Sequence, residues 1–216
     1  MRFHTVLFDL DGTLVDSGQD IARAVNRTLA RLSVPPLPED EILGFVGDGA
    51  RRLMERTLHR VGKQGLDEAL SMFREDYRKD CLGHTRPYAG VPGLLFRLGR
   101  GSVGVVTNKP REFALEILSG LSLLPLVGAV VGGDETARIK PDPEPLRLCL
   151  ARLSRSASGA LMVGDFENDI LAGRAAGLST CGALWGFDGG ASFSDATPDF
   201  SCRTVRELEE FLFSEV

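Results

Sequence analysis

The chain has 216 residues, of which 43% are hydrophobic and 25% charged, with a formal net charge of −5. That length admits one large domain or a domain carrying an insert, with the balance of a globular protein. The acidic sign and the lack of a long basic run argue against nucleic acid or an anionic membrane as the main partner, and no apolar run approaches the ~20 residues that cross a bilayer.

Val6, Leu7 and Phe8 form a short apolar run, the pattern of a buried central parallel strand. The run leads into Asp9-Leu10-Asp11-Gly12-Thr13-Leu14. Asp9 and Asp11 are expected on one face at the strand's carboxyl end, with Leu10 turned inward. Two like charges that close repel unless a cation sits between them. A plain strand-to-turn exit, where Asp-Gly is common, is the competing reading of this stretch alone.

The pattern then turns helical. Ile21, Ala24, Val25, Thr28, Leu29 and Leu32 fall at helical spacing, and Pro35-Pro36 ends that helix. Glu39 to Phe45 suits a short helical turn, Gly47-Asp48-Gly49 breaks the chain, and Ala50 to Val61 and Leu66 to Cys81 are further helices. No convincing strand lies among them. This predicts a helical domain over 17–82, hung between connectors near 16–20 and 83–88, on a core formed by 1–16 and 83–216.

After Pro87 strand and helix alternate. Val91 to Leu98 reads as helix, and Val103, Val105 and Val106 as a strand entering Thr107-Asn108-Lys109. Arg111 to Ser119 is helix, Leu126 to Val131 strand, Pro143 to Leu153 helix and Ala160 to Val163 strand. Asn168 to Ala176 is helix, Thr180 to Leu184 a fifth strand and Val205 to Phe213 a closing helix. The fold class is therefore α/β, a Rossmann-like parallel-sheet core with a small inserted helical domain.

Four cysteines, Cys81, Cys149, Cys181 and Cys202, are widely spaced with no Cys-x-x-Cys pair. They read as reduced, buried small hydrophobes. His4, His59 and His84 are scattered and give no zinc site and no Cys-His pair. Asp9 and Asp11 interrupt the apolar start too early for a signal peptide, so the cytoplasm is the expected compartment.

In an open α/β sheet ligands bind outside the carboxyl ends of the strands. The strands here would deliver Asp9 and Asp11, Thr107 and Asn108, Lys140 after a short loop, and Asp165 with Asp169 to that one edge. Such hard oxygen donors suit Mg²⁺. A lysine, a hydroxyl and glycine-flanked amides suit a phosphate dianion. Asp165 and Asp169 also fit simple capping of a helix N-terminus, and a lone loop lysine is usually a solvated charge.

Together these residues resemble the haloacid dehalogenase superfamily. Asp-Leu-Asp-Gly-Thr at 9–13 resembles its first motif and Val-Val-Thr-Asn-Lys at 105–109 its second. Lys140-Pro141-Asp142-Pro143 resembles the third, and Gly164-Asp165-Phe166-Glu167-Asn168-Asp169-Ile170 the fourth. The helical insert matches the cap of one subgroup. Val46-Gly47-Asp48-Gly49-Ala50, Leu53-Met54, Arg86-Pro87-Tyr88-Ala89-Gly90-Val91 and Gly132-Gly133-Asp134 are similar to phosphoglycolate phosphatases. Phe166 departs from the pattern, which often has a small polar residue there.

The resemblance implies a Mg²⁺-dependent phosphatase that hydrolyses a small phosphorylated metabolite, best 2-phosphoglycolate, through an aspartyl phosphate. It gives Asp9 as nucleophile and Asp11 as acid and base. The metal would take a side-chain oxygen of Asp9, the backbone carbonyl of Asp11 and Asp165, with Asp169 supporting its water shell or holding Lys140. Thr107, Asn108 and Lys140 would bind the phosphoryl group. Gly47 and Gly49 would bring backbone amides to the substrate, and Arg51, with Arg52, would pair with a substrate carboxylate; a solvated helix face is the competing reading for both arginines. A phosphomutase of the β-phosphoglucomutase kind, an inorganic pyrophosphatase and a binding module with a vestigial site are the alternatives. Either a monomer or a homodimer fits.

Overall fold

The computed structural model describes residues 2–194 and 196–214. In chain order, β1 (Thr5–Phe8) is followed by β2 (Val15–Asp16) and then four helices, α1 (Gly18–Arg31), α2 (Glu39–Leu43), α3 (Gly49–Arg60) and α4 (Leu66–Asp80). Next come β3 (Arg86–Pro87), α5 (Val91–Leu98), β4 (Val103–Val106), α6 (Arg111–Gly120), β5 (Ala129–Val131) and α7 (Glu144–Arg152). The chain closes with β6 (Ala160–Gly164), α8 (Glu167–Ala176), β7 (Ser179–Ala183), β8 (Phe200–Cys202) and α9 (Val205–Phe213).

Six of the strands form one sheet in the order β5-β4-β1-β6-β7-β8, and every pairing in it is parallel. This is the expected α/β Rossmann-like architecture. Its strands are buried on both faces, so successive side chains serve different layers. Val6, Phe8, Val103, Val105, Leu161 and Val163 pack with residues of α5, α6 and α9. Leu7, Val106, Val131 and Met162 face the other way, onto Leu146, Leu150 and Ala172 of α7 and α8. With β1 central, the carboxyl ends of β1, β4 and β6 are neighbours.

The structure corrects the sequence reading in three places. The connectors around the helical insert are not plain loops. β2 and β3 pair antiparallel, Val15 with Pro87 and Asp16 with Arg86, in a two-stranded ribbon at the base of the four helices. Two residues per strand are too few to leave an alternating signal. The strand expected from Leu126 begins only at Ala129, because Leu124–Leu126 form a 3₁₀ turn around Pro125, whose fixed φ suits a turn and whose nitrogen has no proton for a ladder. β8 was not anticipated; three residues behind Pro198 are equally cryptic.

The four helices bury their apolar stripes against one another. Ile21, Val25 and Leu29 of α1 and Ala69, Phe73 and Tyr77 of α4 belong to one continuous apolar cluster with the core helices. A polar latch fixes the ribbon to α1. Asp20, 3% exposed, accepts the backbone N–H groups of His84 at 2.8 Å and Thr85 at 2.8 Å and the Thr85 hydroxyl at 2.8 Å. Burial alone would raise the Asp20 pKa, but these hydrogen bonds outweigh it and hold the carboxyl below its ordinary range. The ionised form is thus favoured in the folded state. Its contribution is complete above the unfolded value of about 4 and is lost as pH falls through the lower folded one. Asp20→Ala should cost about 3 kcal/mol at pH 7, since it strands the buried N–H and hydroxyl of Thr85 and the partly buried N–H of His84. Urea midpoints at pH 7 and pH 3 test this, and the gap between mutant and parent should narrow at pH 3.

Candidate active site

Each acidic motif residue stands where a strand ends or a helix begins. β1 stops at Phe8 and the Asp9 N–H donates to the Val163 carbonyl at 2.9 Å, the last rung toward β6. The chain then turns sharply. Gly12 has φ +80°, and a Cβ there would lie 2.0 Å from Asp165 Oδ2. Only glycine permits both the backbone and that approach. Leu10 is fully buried beneath the turn. On the next strand Asp165 follows β6, and Asp169 sits in the first turn of α8 with Oδ2 accepting the Phe166 N–H at 3.2 Å.

Asp9, Asp165 and Asp169 converge. Each offers an oxygen within 4.8 Å of the others, and all three are buried. Lys140, 1% exposed, donates to Asp169 Oδ1 at 2.6 Å and the Val106 carbonyl at 2.8 Å, and its ammonium is 2.8 Å from Asp9 Oδ1. That last approach is an ion pair without hydrogen-bond alignment, so Asp9 Oδ1 is left buried with no hydrogen-bond partner. Burial lowers the Lys140 pKa, but Asp169 and Asp9 more than offset it, and the lysine stays charged. Burial pushes Asp169 up to about 6 although Lys140 pulls it down. Asp165 stands well above the ordinary carboxyl value, first through burial and then through repulsion from Asp9 and Asp169; the Thr13 hydroxyl at 2.8 Å only partly relieves it. One ammonium therefore serves three dry carboxylates. A hard divalent cation beside Asp9 and Asp165 would remove the imbalance and use the idle oxygen, so the donor set fits Mg²⁺.

Asp11 does not join that cluster. Its carboxylate takes Lys109 Nζ at 2.9 and 2.8 Å and the Ser17 hydroxyl. The two carboxylates are compensated separately, Asp9 by Lys140 and Asp11 by Lys109. Lys109 and Ser17 were missed as site residues. Lys109 was legible as part of the Thr107-Asn108-Lys109 strand end, whereas Ser17 had no signal.

Thr107 is buried, and its Oγ1 accepts the Lys109 N–H at 3.2 Å, which leaves its proton free to donate. Asn108 is differently employed. Its Nδ2 donates to the carbonyls of Gly47 at 2.9 Å and Lys140 at 3.1 Å, and its Oδ1 accepts the Lys140 N–H at 3.0 Å. The side-chain amide is committed to tying the lysine loop to the helical insert, so it is not a phosphate donor in this arrangement. Gly47 and Gly49 do lie at the site; Asn168 also donates to the Gly47 carbonyl at 2.9 Å, and Gly49 stands against the Asn108 backbone. Arg51 does not. It is exposed on α3 and pairs with Asp67 at 2.6 Å, whereas Arg52 pairs with Glu55 and lines the wide groove outside the cluster. Arg51 fits the solvated helix face that is the competing reading.

A cavity of about 50 Å³ lies over Asp9, Asp11 and Thr107, roofed by Leu53, Phe73 and Tyr77 of the insert. Phe166 borders it and also a wide outer groove, with its ring 3.4 Å from the Cβ position of Gly47. The residue that departs from the motif is a partition between the two spaces.

Residues 6–183 match the family described as haloacid dehalogenase-like hydrolase. This chain belongs to that family. Its relatives include the phosphoglycolate phosphatase of Colwellia psychrerythraea, 38% identical over 212 residues with 94% of both chains covered. The phosphoglycolate phosphatase of Aquifex aeolicus is 35% identical over 213 residues, covering 98% of this chain and 97% of that one. A solved structure from Lactobacillus delbrueckii subsp. bulgaricus, 21% identical, superposes with a TM-score of 0.90 over all of both chains, a likeness of fold. The chain is an enzyme, a hydrolase similar to phosphoglycolate phosphatases. No helix among the described residues is long and apolar enough to cross a membrane.

Lys140→Met would leave Asp9 and Asp169 buried together with no cation. Breaking such a pair should cost about 3–5 kcal/mol in metal-free buffer. A urea melt in EDTA reads this directly, and a loss under 1 kcal/mol would contradict the electrostatic account.

Proposed function

We propose that this enzyme is a Mg²⁺-dependent phosphatase that hydrolyses a small phosphorylated acid, best 2-phosphoglycolate, through an aspartyl phosphate on Asp9. The observation that carries the reading is the buried Asp9 oxygen without a hydrogen-bond partner, beside Asp165 and within reach of one ammonium group. The relatives' activity and the small cavity support the substrate.

Asp9 attacks phosphorus, and the P–O bond to the alcohol breaks as the new one forms. Asp11 gives a proton to the leaving alkoxide. In the second half it takes a proton from the water that attacks the phosphorus, and Asp9 is returned as carboxylate. Asp9, the Asp11 carbonyl and Asp165 would hold Mg²⁺, whose positive charge would let an anion meet a dianion. Thr107 donates its hydroxyl proton to a phosphoryl oxygen. Lys140 balances Asp9 and Asp169 and neutralises the incoming group, while Asn108 acts by fixing the Lys140 backbone. Residues 17–82 act as a cap that excludes water over the aspartate during transfer. All these groups come from one chain, whether the protein is a monomer or a homodimer. Its four cysteines are buried free thiols, which suits a cytoplasmic enzyme.

Asp9→Asn should reduce phosphate release by at least ~10³-fold with the fold intact. The assay is a panel of 2-phosphoglycolate, β-glucose 1-phosphate and pyrophosphate, with and without EDTA. A phosphoenzyme that passes its phosphoryl group to a hexose phosphate faster than to water would point to a mutase, and release from pyrophosphate alone to a pyrophosphatase.

Asp165→Asn tests the metal separately. Removing one uncompensated charge should raise the Tm of the EDTA-treated protein. It should also abolish the rise in Tm that millimolar Mg²⁺ gives the parent. An equal Mg²⁺ response in both proteins would place the ion elsewhere.

A further inference from the structure

The cavity over Asp11 has a second polar feature that the phosphoryl chemistry leaves unused. Tyr77 of α4 is 2% exposed, and its hydroxyl has no hydrogen-bond partner. A buried phenol without a partner is costly and calls for a reason. The ring itself is firmly placed. It stacks on Phe73 at 5.6 Å and meets the edge of Phe113 at 5.2 Å. Lys109 Nζ lies 4.6 Å from its centre.

Lys109 is the one cation among the described residues lining this cavity. An ammonium group has three protons to donate. Two go to Asp11 Oδ1 and Oδ2, and among the described residues the third has only the nearby Tyr77 hydroxyl to turn to, out of hydrogen-bond geometry. Arg51 and Arg52, the other candidate partners of an anionic substrate, are held in exposed ion pairs and do not line this cavity; Arg52 borders the outer groove. The remaining walls near Tyr77 are apolar: Ile21, Leu53, Phe73 and Phe113. A neutral hydrocarbon tail would leave both donors unsatisfied. A carboxylate accepts both, one on each oxygen.

The geometry points to Tyr77 and Lys109 as the recognition pair for the substrate's carboxylate: the Tyr77 hydroxyl and the third Lys109 proton bind the acid group while Asp9 holds the phosphoryl end. This rests on the phosphatase reading and adds the residues that choose among its substrates. The cap then contributes a specific donor to the site as well as a roof.

The test compares 2-phosphoglycolate with ethyl phosphate, which has the same two carbons and no carboxylate. The parent enzyme should favour 2-phosphoglycolate in kcat/KM. Tyr77→Phe keeps the ring and deletes only the unpaired hydroxyl. It should lower the ratio of the two kcat/KM values about tenfold, with the change in KM for 2-phosphoglycolate, and should leave the Tm unchanged or higher. Lys109→Gln should lower the ratio further. Esters hydrolysed with a ratio that Tyr77→Phe leaves within twofold of the parent would overturn this assignment and leave the phosphatase reading standing. Absence of hydrolysis of both esters by the parent would remove that reading and this assignment with it.

Discussion

A single buried ammonium group organises this molecule. Lys140 sits almost without solvent between Asp9 and Asp169 and also binds the end of β4 through the Val106 carbonyl. Charges in such a place are tolerable only when paired and hydrogen-bonded. The lysine meets that condition for Asp169, meets it poorly for Asp9 and not at all for Asp165. Stability and reactivity are therefore opposed at this point. The site is held shut by one ion pair and left deficient in positive charge where a phosphate dianion would enter.

The same economy governs the join between core and cap. The Gly47 carbonyl, on the loop before α3, accepts from both Asn108, just past β4, and Asn168, in the first turn of α8. Asn108 also grips both backbone polar groups of Lys140. Cap position, lysine position and strand end are thus one hydrogen-bonded unit. At the far side Asp20 fastens the ribbon. Closure of the cap would be felt at Lys140 without any contact between the cap and the lysine side chain.

Phe166 shows how a departure from a motif can be read once neighbours are known. A hydroxyl at that position could donate a hydrogen bond. A ring instead packs on the bare backbone of Gly47 and divides the small inner cavity from the outer groove. The fit depends on a glycine 119 positions earlier in the chain, so no local pattern announces it.

The sequence by itself determined five of the six strands of the sheet, the order of its helices and the class of chemistry. Continuous apolar runs that end in Asp9, Thr107 and Asp165 can only be buried parallel strands, and such strands must deliver those groups to one edge. What the tertiary structure alone decided is which partner each group has. Asp9 and Asp11 are two residues apart yet look to different lysines, the Asn108 side-chain amide is spent on backbone groups, Arg51 points to solvent, and Tyr77 reaches the cavity from the helical insert. The physical reason is range: strand and helix periodicity follow from neighbouring residues, whereas the pairing of buried charges depends on side chains brought together from distant parts of the chain.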